Sequence, residues 1–253
     1  MNSGYAAAAM IPARKNTFLD AACYFFLLRS MRKAFHSVQL RGSENIAALA
    51  PDRPVIAFSN HTNWWDGFLV FFLTRHLPRR VYAMMEEKQL VQYQFFAWFG
   101  AFGVDLTSAR ASLPGVRYAL QRLEDPANLV WIFPQGKIVS PHAPIQSQPG
   151  TAFLARKATT AQVLPVSFRY EFFREDKPLI LIDIGKPIDA AAATETVIQE
   201  KCHELAAALQ EVVLHQDLTG FRVLLQPRWS INKRWDWFRH AISGRLKEFN
   251  PDN

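Results

Sequence analysis

Pro54-Val55-Ile56-Ala57-Phe58-Ser59-Asn60-His61-Thr62-Asn63-Trp64-Trp65-Asp66 opens on a short apolar run and closes at the start of a helical one. Residues 54–59 are rich in β-branched and aromatic side chains, the composition of a strand buried on both faces. From Trp64 to His76 apolar residues continue all round over helical length, which reads as a buried helix. A buried strand handed directly to a buried helix is half of a βαβ unit, so its neighbours should be parallel strands.

Working outward, the same alternation recurs. Val38 to Arg41, Val81 to Met85, Gly103 to Leu106, Leu129 to Phe133, Val163 to Tyr170 and Leu179 to Ile184 read as strands. Tyr93 to Phe99, Pro114 to Leu123, Thr151 to Lys157 and Ala190 to Leu214 read as helices, with Pro114 near a first turn. The predicted class is α/β, a largely parallel central sheet flanked by helices, with amphipathic helices at both termini. A chain of 253 residues suits one core of this kind. The expected divisions are an N-terminal amphipathic helix (1–36), a domain (37–216) and a basic, Trp-rich tail (217–253). One long irregular stretch, Gln135 to Pro149, interrupts the pattern, and such loops in compact domains are often functional.

A net charge of +7 calls for a polyanionic partner: nucleic acid, an anionic membrane or a phosphorylated substrate. No helix-turn-helix, ribonucleoprotein or zinc-finger spacing is present, so no nucleic-acid partner is expected. Cys23 and Cys202 stand far apart in helical segments, which indicates neither a disulfide framework nor a metal site and fits a reducing, cytoplasmic setting. Residues 1–12 lack the basic start and cleavable end of a secretory signal. No stretch reaches the roughly 18 apolar residues of a spanning helix.

Two segments have interfacial character instead. Phe18, Ala21, Ala22, Phe25, Leu28 and Phe35 recur near helical spacing among Arg29, Arg32 and Lys33. Between Phe221 and Lys247, Trp229, Trp235, Trp237 and Phe238 alternate with Arg222, Arg228, Lys233, Arg234, Arg239, Arg245 and Lys247. Indole rings and cationic stems both favour the headgroup level of a bilayer. Peripheral attachment to the cytoplasmic face of a membrane is expected, although ordinary amphipathic helices packed on a core would read the same way.

His61 and Asp66 carry the chemistry. His61 lies at a strand's carboxyl end, the usual place for sites in open α/β sheets, and Asp66 follows about one and a half turns later. A carboxylate there fixes one imidazole tautomer, leaves the other nitrogen as a base and stabilises the imidazolium once formed. With no Ser or Cys in a nucleophile elbow, the attacking group is taken to be a substrate hydroxyl. The spacing alone equally describes a helix-start histidine with a capping carboxylate. Trp131-Ile132-Phe133-Pro134-Gln135-Gly136-Lys137 then runs a strand into a turn whose amides suit an oxyanion or a phosphate. Leu164-Pro165-Val166 is a strand with an internal proline, which marks an edge or an irregularity.

In this order the segments resemble the glycerolipid acyltransferases, the family of the lysophosphatidic acid and glycerol-3-phosphate acyltransferases of phospholipid biosynthesis. The resemblance spans about residues 38 to 190. Asn60, His61 and Asp66 match its first block in full, and Leu164, Pro165 and Val166 match its fourth. Of the third block, usually Phe-Pro-Glu-Gly-Thr-Arg, only Phe133, Pro134 and Gly136 are present; Gln135, Lys137 and Ile138 replace the rest. In the second block Leu106 stands where the family has Arg, with Arg110 the nearest basic residue.

The resemblance implies His61 and Asp66 as catalytic residues. It implies Asn60, Arg110, Phe133, Pro134, Gln135, Gly136 and Lys137 as acceptor or oxyanion contacts, with Trp64, Trp65 and Pro165 as acyl-chain or structural residues. No metal or bound cofactor is implied; acyl-coenzyme A or acyl carrier protein brings the acyl group as cosubstrate. The acceptor blocks are the altered ones, so a lysophospholipid acceptor and a non-phosphorylated one, such as a glycolipid or a terpenoid or carotenoid glycoside, both stay open. A reading of another class is a non-catalytic lipid-surface binding protein.

Overall fold

Asn16 starts the first helix by accepting the N–H groups of Phe18 and Leu19 on its Oδ1, which satisfies two of the donors a helix start leaves open. The computed structural model describes residues 10–226 and 231–243. In chain order it contains α1 (Thr17–Ala34), β1 (Val38–Arg41), α2 (Ser43–Ala47), β2 (Val55–Ser59), α3 (Trp65–Leu73), β3 (Arg80–Glu86) and α4 (Glu87–Gln92). A 3₁₀ turn (Gln94–Phe99) leads to β4 (Ala101–Val104), α5 (Ala109–Arg122), β5 (Asn128–Ile132), α6 (Gly150–Lys157), β6 (Gln162–Glu171), β7 (Leu179–Ile184) and β8 (Ile188–Asp189). A second 3₁₀ turn (Ala190–Ala192), α7 (Glu195–His215), β9 (Arg222–Leu225) and α8 (Ile231–Ile242) follow.

The strands form one sheet in the order β4-β3-β5-β2-β6-β7-β1-β9, with β8 also paired to β6. From β4 through β6 every pairing is parallel, as is β7 with β1; β6–β7, β6–β8 and β1–β9 are antiparallel. All five residues of β2 are buried. Val55 and Ala57 point into a layer shared with α1, α3 and the Gln94–Phe99 turn. Ile56 and Phe58 point the other way, among Ala119, Leu154 and Cys202 of α5, α6 and α7. That period of two puts helices on both faces and a continuous apolar sequence in the strand between them. β2 is thus central, and its carboxyl end delivers His61 between the ends of β5 and β6.

Several elements differ from the sequence reading. α5 begins at Ala109 because Ser108 caps it, its hydroxyl accepting the Ala111 N–H at 3.1 Å, so Pro114 sits inside the helix. β4 starts directly after Gly100, whose φ of 106° ends the 3₁₀ turn, and Leu106 falls in the loop beyond the strand. Pro165 occupies a central strand, not an edge. Its carbonyl accepts the Gly185 N–H at 2.9 Å, and a strand residue's two main-chain groups point the same way, so its missing N–H faces the turn between β7 and β8.

The termini also differ. The buried face of α1 is Leu27 and Met31, while Phe18, Phe25 and Phe26 are exposed; Phe35 lies beyond the helix and is buried. The tail is not one amphipathic segment, because Arg222–Leu225 extends the sheet beside β1 before α8 begins. The sheet therefore runs past the expected boundary at residue 216. Arg228, Trp229, Arg245 and Lys247 lie outside the described residues.

Gly115 fixes how α5 meets the sheet. A Cβ there would stand 2.7 Å from the Gly103 carbonyl oxygen of β4, a main-chain atom that cannot rotate away. Gly115→Ala should lower unfolding free energy by about 1–3 kcal/mol through overpacking, read as a reduced urea midpoint at unchanged slope.

Candidate active site

Asn60 ends the strand run, and its carboxamide bridges to β6. Its Nδ2 donates to the Phe168 carbonyl at 2.8 Å and its Oδ1 accepts the Phe168 N–H at 2.7 Å. Those two hydrogen bonds join β2 to β6 and fix the turn that follows. One step below, the buried Trp131 indole donates to the Ser59 hydroxyl at 3.0 Å, tying β5 to the same strand end.

The turn places His61 Nδ1 2.8 Å from Asp66 Oδ2. A carboxylate can only accept, so Nδ1 carries the proton and Nε2 remains the basic nitrogen. Asp66 is fully buried and lies in the first turn of α3, where the helix dipole favours negative charge. Its Oδ2 also accepts the Thr62 and Asn63 N–H groups at 2.7 and 2.9 Å, and its Oδ1 accepts the Tyr170 hydroxyl at 2.6 Å. Burial, and then the Asp66 charge, push the Tyr170 phenol well above its ordinary range, so it stays a neutral donor. The His61 side chain keeps 19% of its surface exposed and stacks on Phe133, with ring centroids 4.1 Å apart. A base held in one tautomer on a partly exposed ring can take a proton from a bound hydroxyl.

The third segment meets His61 from β5. Gln135 is buried, and its Oε1 accepts the His61 main-chain N–H at 2.6 Å. Pro134 is buried, with its carbonyl accepting the Gln148 N–H at 2.7 Å, which closes the neck of the loop. Gly136 adopts φ 67°, and its N–H donates to Phe133 O at 3.0 Å, so that amide serves the turn and is not free for an oxyanion. Lys137 and Arg110 are exposed, and neither is hydrogen-bonded to His61 or Asp66. Leu106 is 49% exposed, and its Cδ1 comes within 4.0 Å of where a Cβ on Gly136 would be. Ile138 is 47% exposed.

Trp64 and Trp65 border an apolar groove of about 370 Å³ between α1, α3 and the Gln94–Phe99 turn, with Cys23, Phe26, Phe68 and Phe95 on its other sides. The Trp65 ring packs edge-on against Phe35 at 5.0 Å, whereas Trp64 is 43% exposed at the groove. Sequence reasoning missed Tyr170, which lies 104 residues from its carboxylate partner. The signal lay in β6 itself, where Phe168 and Tyr170 share a strand face directed to the α3 layer.

A family model described as Acyltransferase matches residues 37–169. The fold is similar to the crystal structure of the 1-acyl-sn-glycerophosphate (LPA) acyltransferase, PlsC, from Thermotoga maritima. The TM-score is 0.56 at 20% sequence identity, over 77% of this chain and 80% of that one. No curated protein matches the sequence.

Tyr170→Phe removes one donor from a fully buried carboxylate while keeping the ring. Unfolding free energy should fall by about 1–3 kcal/mol, measured by urea denaturation; an unchanged value would mean Oδ1 finds another donor.

Proposed function

The chain belongs to the acyltransferase family, and on that footing we propose that it is a membrane-associated O-acyltransferase working on a lysophospholipid-like acceptor, such as a 1-acylglycerol-3-phosphate. The acyl group comes from a thioester, acyl-coenzyme A or acyl carrier protein. His61 Nε2 takes the acceptor hydroxyl's proton as that oxygen attacks the thioester carbonyl. The tetrahedral intermediate collapses with loss of the thiolate, and the imidazolium returns the proton to it. Asp66 stabilises the imidazolium between these steps and holds the ring in its working tautomer. The observation that carries the reading is the 2.8 Å pair of His61 with a carboxylate that three further donors keep in place.

The apolar groove supports a fatty acyl chain as the transferred group. Its volume of about 370 Å³ lies within the roughly 300–1,000 Å³ of ligand sites, and Trp64 at its border is three residues from His61. Membrane association is supported by exposed apolar side chains at both ends of the chain: Phe18, Phe25 and Phe26 on α1, and Trp235, Trp237 and Phe238 on α8. Among the described residues no helix is long and apolar enough to cross a membrane, so attachment is peripheral in this reading.

A second reading keeps the chemistry and changes the acceptor. Leu106 and Ile138 put exposed apolar side chains near Gly136, where a phosphate monoester would want cations, which favours a neutral hydroxyl such as that of a glycolipid or terpenoid glycoside.

With labelled acyl donor, His61→Ala should abolish product in a folded protein, and Asp66→Asn should lower turnover by about 10³–10⁴-fold because the imidazole loses its tautomer. Full activity in His61→Ala would sink the mechanism, and failure to release thiol from any thioester would favour a non-catalytic lipid-binding protein. A panel of acceptors separates the two acceptor classes, since clear preference for lysophosphatidic acid ends the neutral one. Cosedimentation with vesicles should require anionic lipid and weaken as salt rises from about 0.1 to 1 M. Deletion of residues 227–253 without effect on cosedimentation would assign the tail a purely structural role.

A further inference from the structure

The loop from Gln135 to Pro149 holds the base and not only the space beside it. Both main-chain polar groups of His61 are bound by this loop: Gln135 Oε1 accepts the N–H at 2.6 Å, and the Val139 N–H donates to the carbonyl at 3.0 Å. Strand pairing does not hold these groups, because β2 ends at Ser59. The loop's far side is tied to α7, where Gln199 accepts the Ser147 N–H at 2.7 Å and donates to the Ile145 carbonyl. His61 is thereby braced through one loop against a long helix.

We infer that Gln135 is a positioning residue for His61 and not a contact for the acceptor, an inference that rests on the reading of His61 as the general base. Three observations carry it. The carboxamide oxygen is already spent on the His61 N–H. Only 5% of the residue is exposed, which leaves little surface for a diffusing substrate. The recess it borders with Ser140, Ser167 and Arg169 is about 20 Å³, room for one water and far too small for a lipid headgroup. A shift of the His61 backbone would carry the ring away from the hydroxyl while Asp66 still bonded it, so the expected loss is in turnover and not in binding.

The test has an arm independent of activity. In the deuterated, isotopically labelled full-length protein, a through-hydrogen-bond coupling should connect the His61 amide nitrogen with the Gln135 side-chain carbonyl carbon. Its absence would overturn the inference. Gln135→Met, similar in length but without that acceptor, should lower kcat by about 10–100-fold with KM for donor and acceptor changed less than about twofold. Gln135→Glu keeps an acceptor at the same reach and should recover most of kcat. A rise in acceptor KM at unchanged kcat in either variant would make Gln135 an acceptor contact and overturn the proposal. Wild-type protein without any acyl transfer would defeat the functional reading, and the coupling would still decide the bond. If Gln135→Met does not fold, the coupling and the Gln135→Glu kinetics decide it.

Discussion

A single buried carboxylate organises this molecule's working end. Asp66 is fully buried, and a bare charge in that position would cost several kcal/mol. Four donors compensate it: the His61 ring, the Thr62 and Asn63 amides and the Tyr170 hydroxyl. They come from the β2–α3 turn and from β6, so the arrangement exists only when strand, turn and helix are assembled. The same bonds that satisfy the charge set the imidazole's tautomer. Stability and reactivity are coupled here through one pair of oxygens.

The sheet makes this coupling possible because its central strands are parallel. β2, β5 and β6 end on the same side, so His61, the Phe133–Gly136 turn and the Asn60–Phe168 bridge converge without long excursions of the chain. The switch to antiparallel pairing at β6–β7 comes beside Pro165, where a proline's missing donor is harmless. Irregularity is thus confined to the side of β6 away from β2, and the β2–β6 ladder under His61 runs unbroken from Val55 to Ser59.

Local signals survived translation into structure better than relational ones. The strand at residues 55–59 and the helix after Trp64 were legible because burial on both faces leaves a nearly continuous apolar sequence. The His61–Asp66 pair was legible because five residues across a helix entry bring the groups together whatever surrounds them. Tyr170 was not, since its partner lies 104 residues away and only the β2–β6 register aligns them. The bridge from Asn60 to Phe168 was not legible either, because a motif records identity and not direction. The start of α5 was misplaced because Pro114 is a louder signal than the Ser108 cap that nucleates the helix. In the tail, the basic and aromatic pattern concealed β9, whose place is set by pairing with β1 and not by its own periodicity.

These facts divide the site into a part the fold holds and a part it merely presents. His61, Asp66, Asn60 and Tyr170 are held by hydrogen bonds among the β2–α3 turn, the Gln135–Pro149 loop and β6. Leu106, Lys137 and Ile138 are exposed on loops, where a change of side chain asks little of the core. Departures from the acyltransferase pattern at Leu106 and Ile138 are therefore changes a stable scaffold tolerates. Gln135 stands between the two parts: it belongs to the loop by sequence and, through its 2.6 Å bond to His61, to the machinery by geometry. The loop's exposed positions can vary while the bonds at its base keep His61 where the sheet put it.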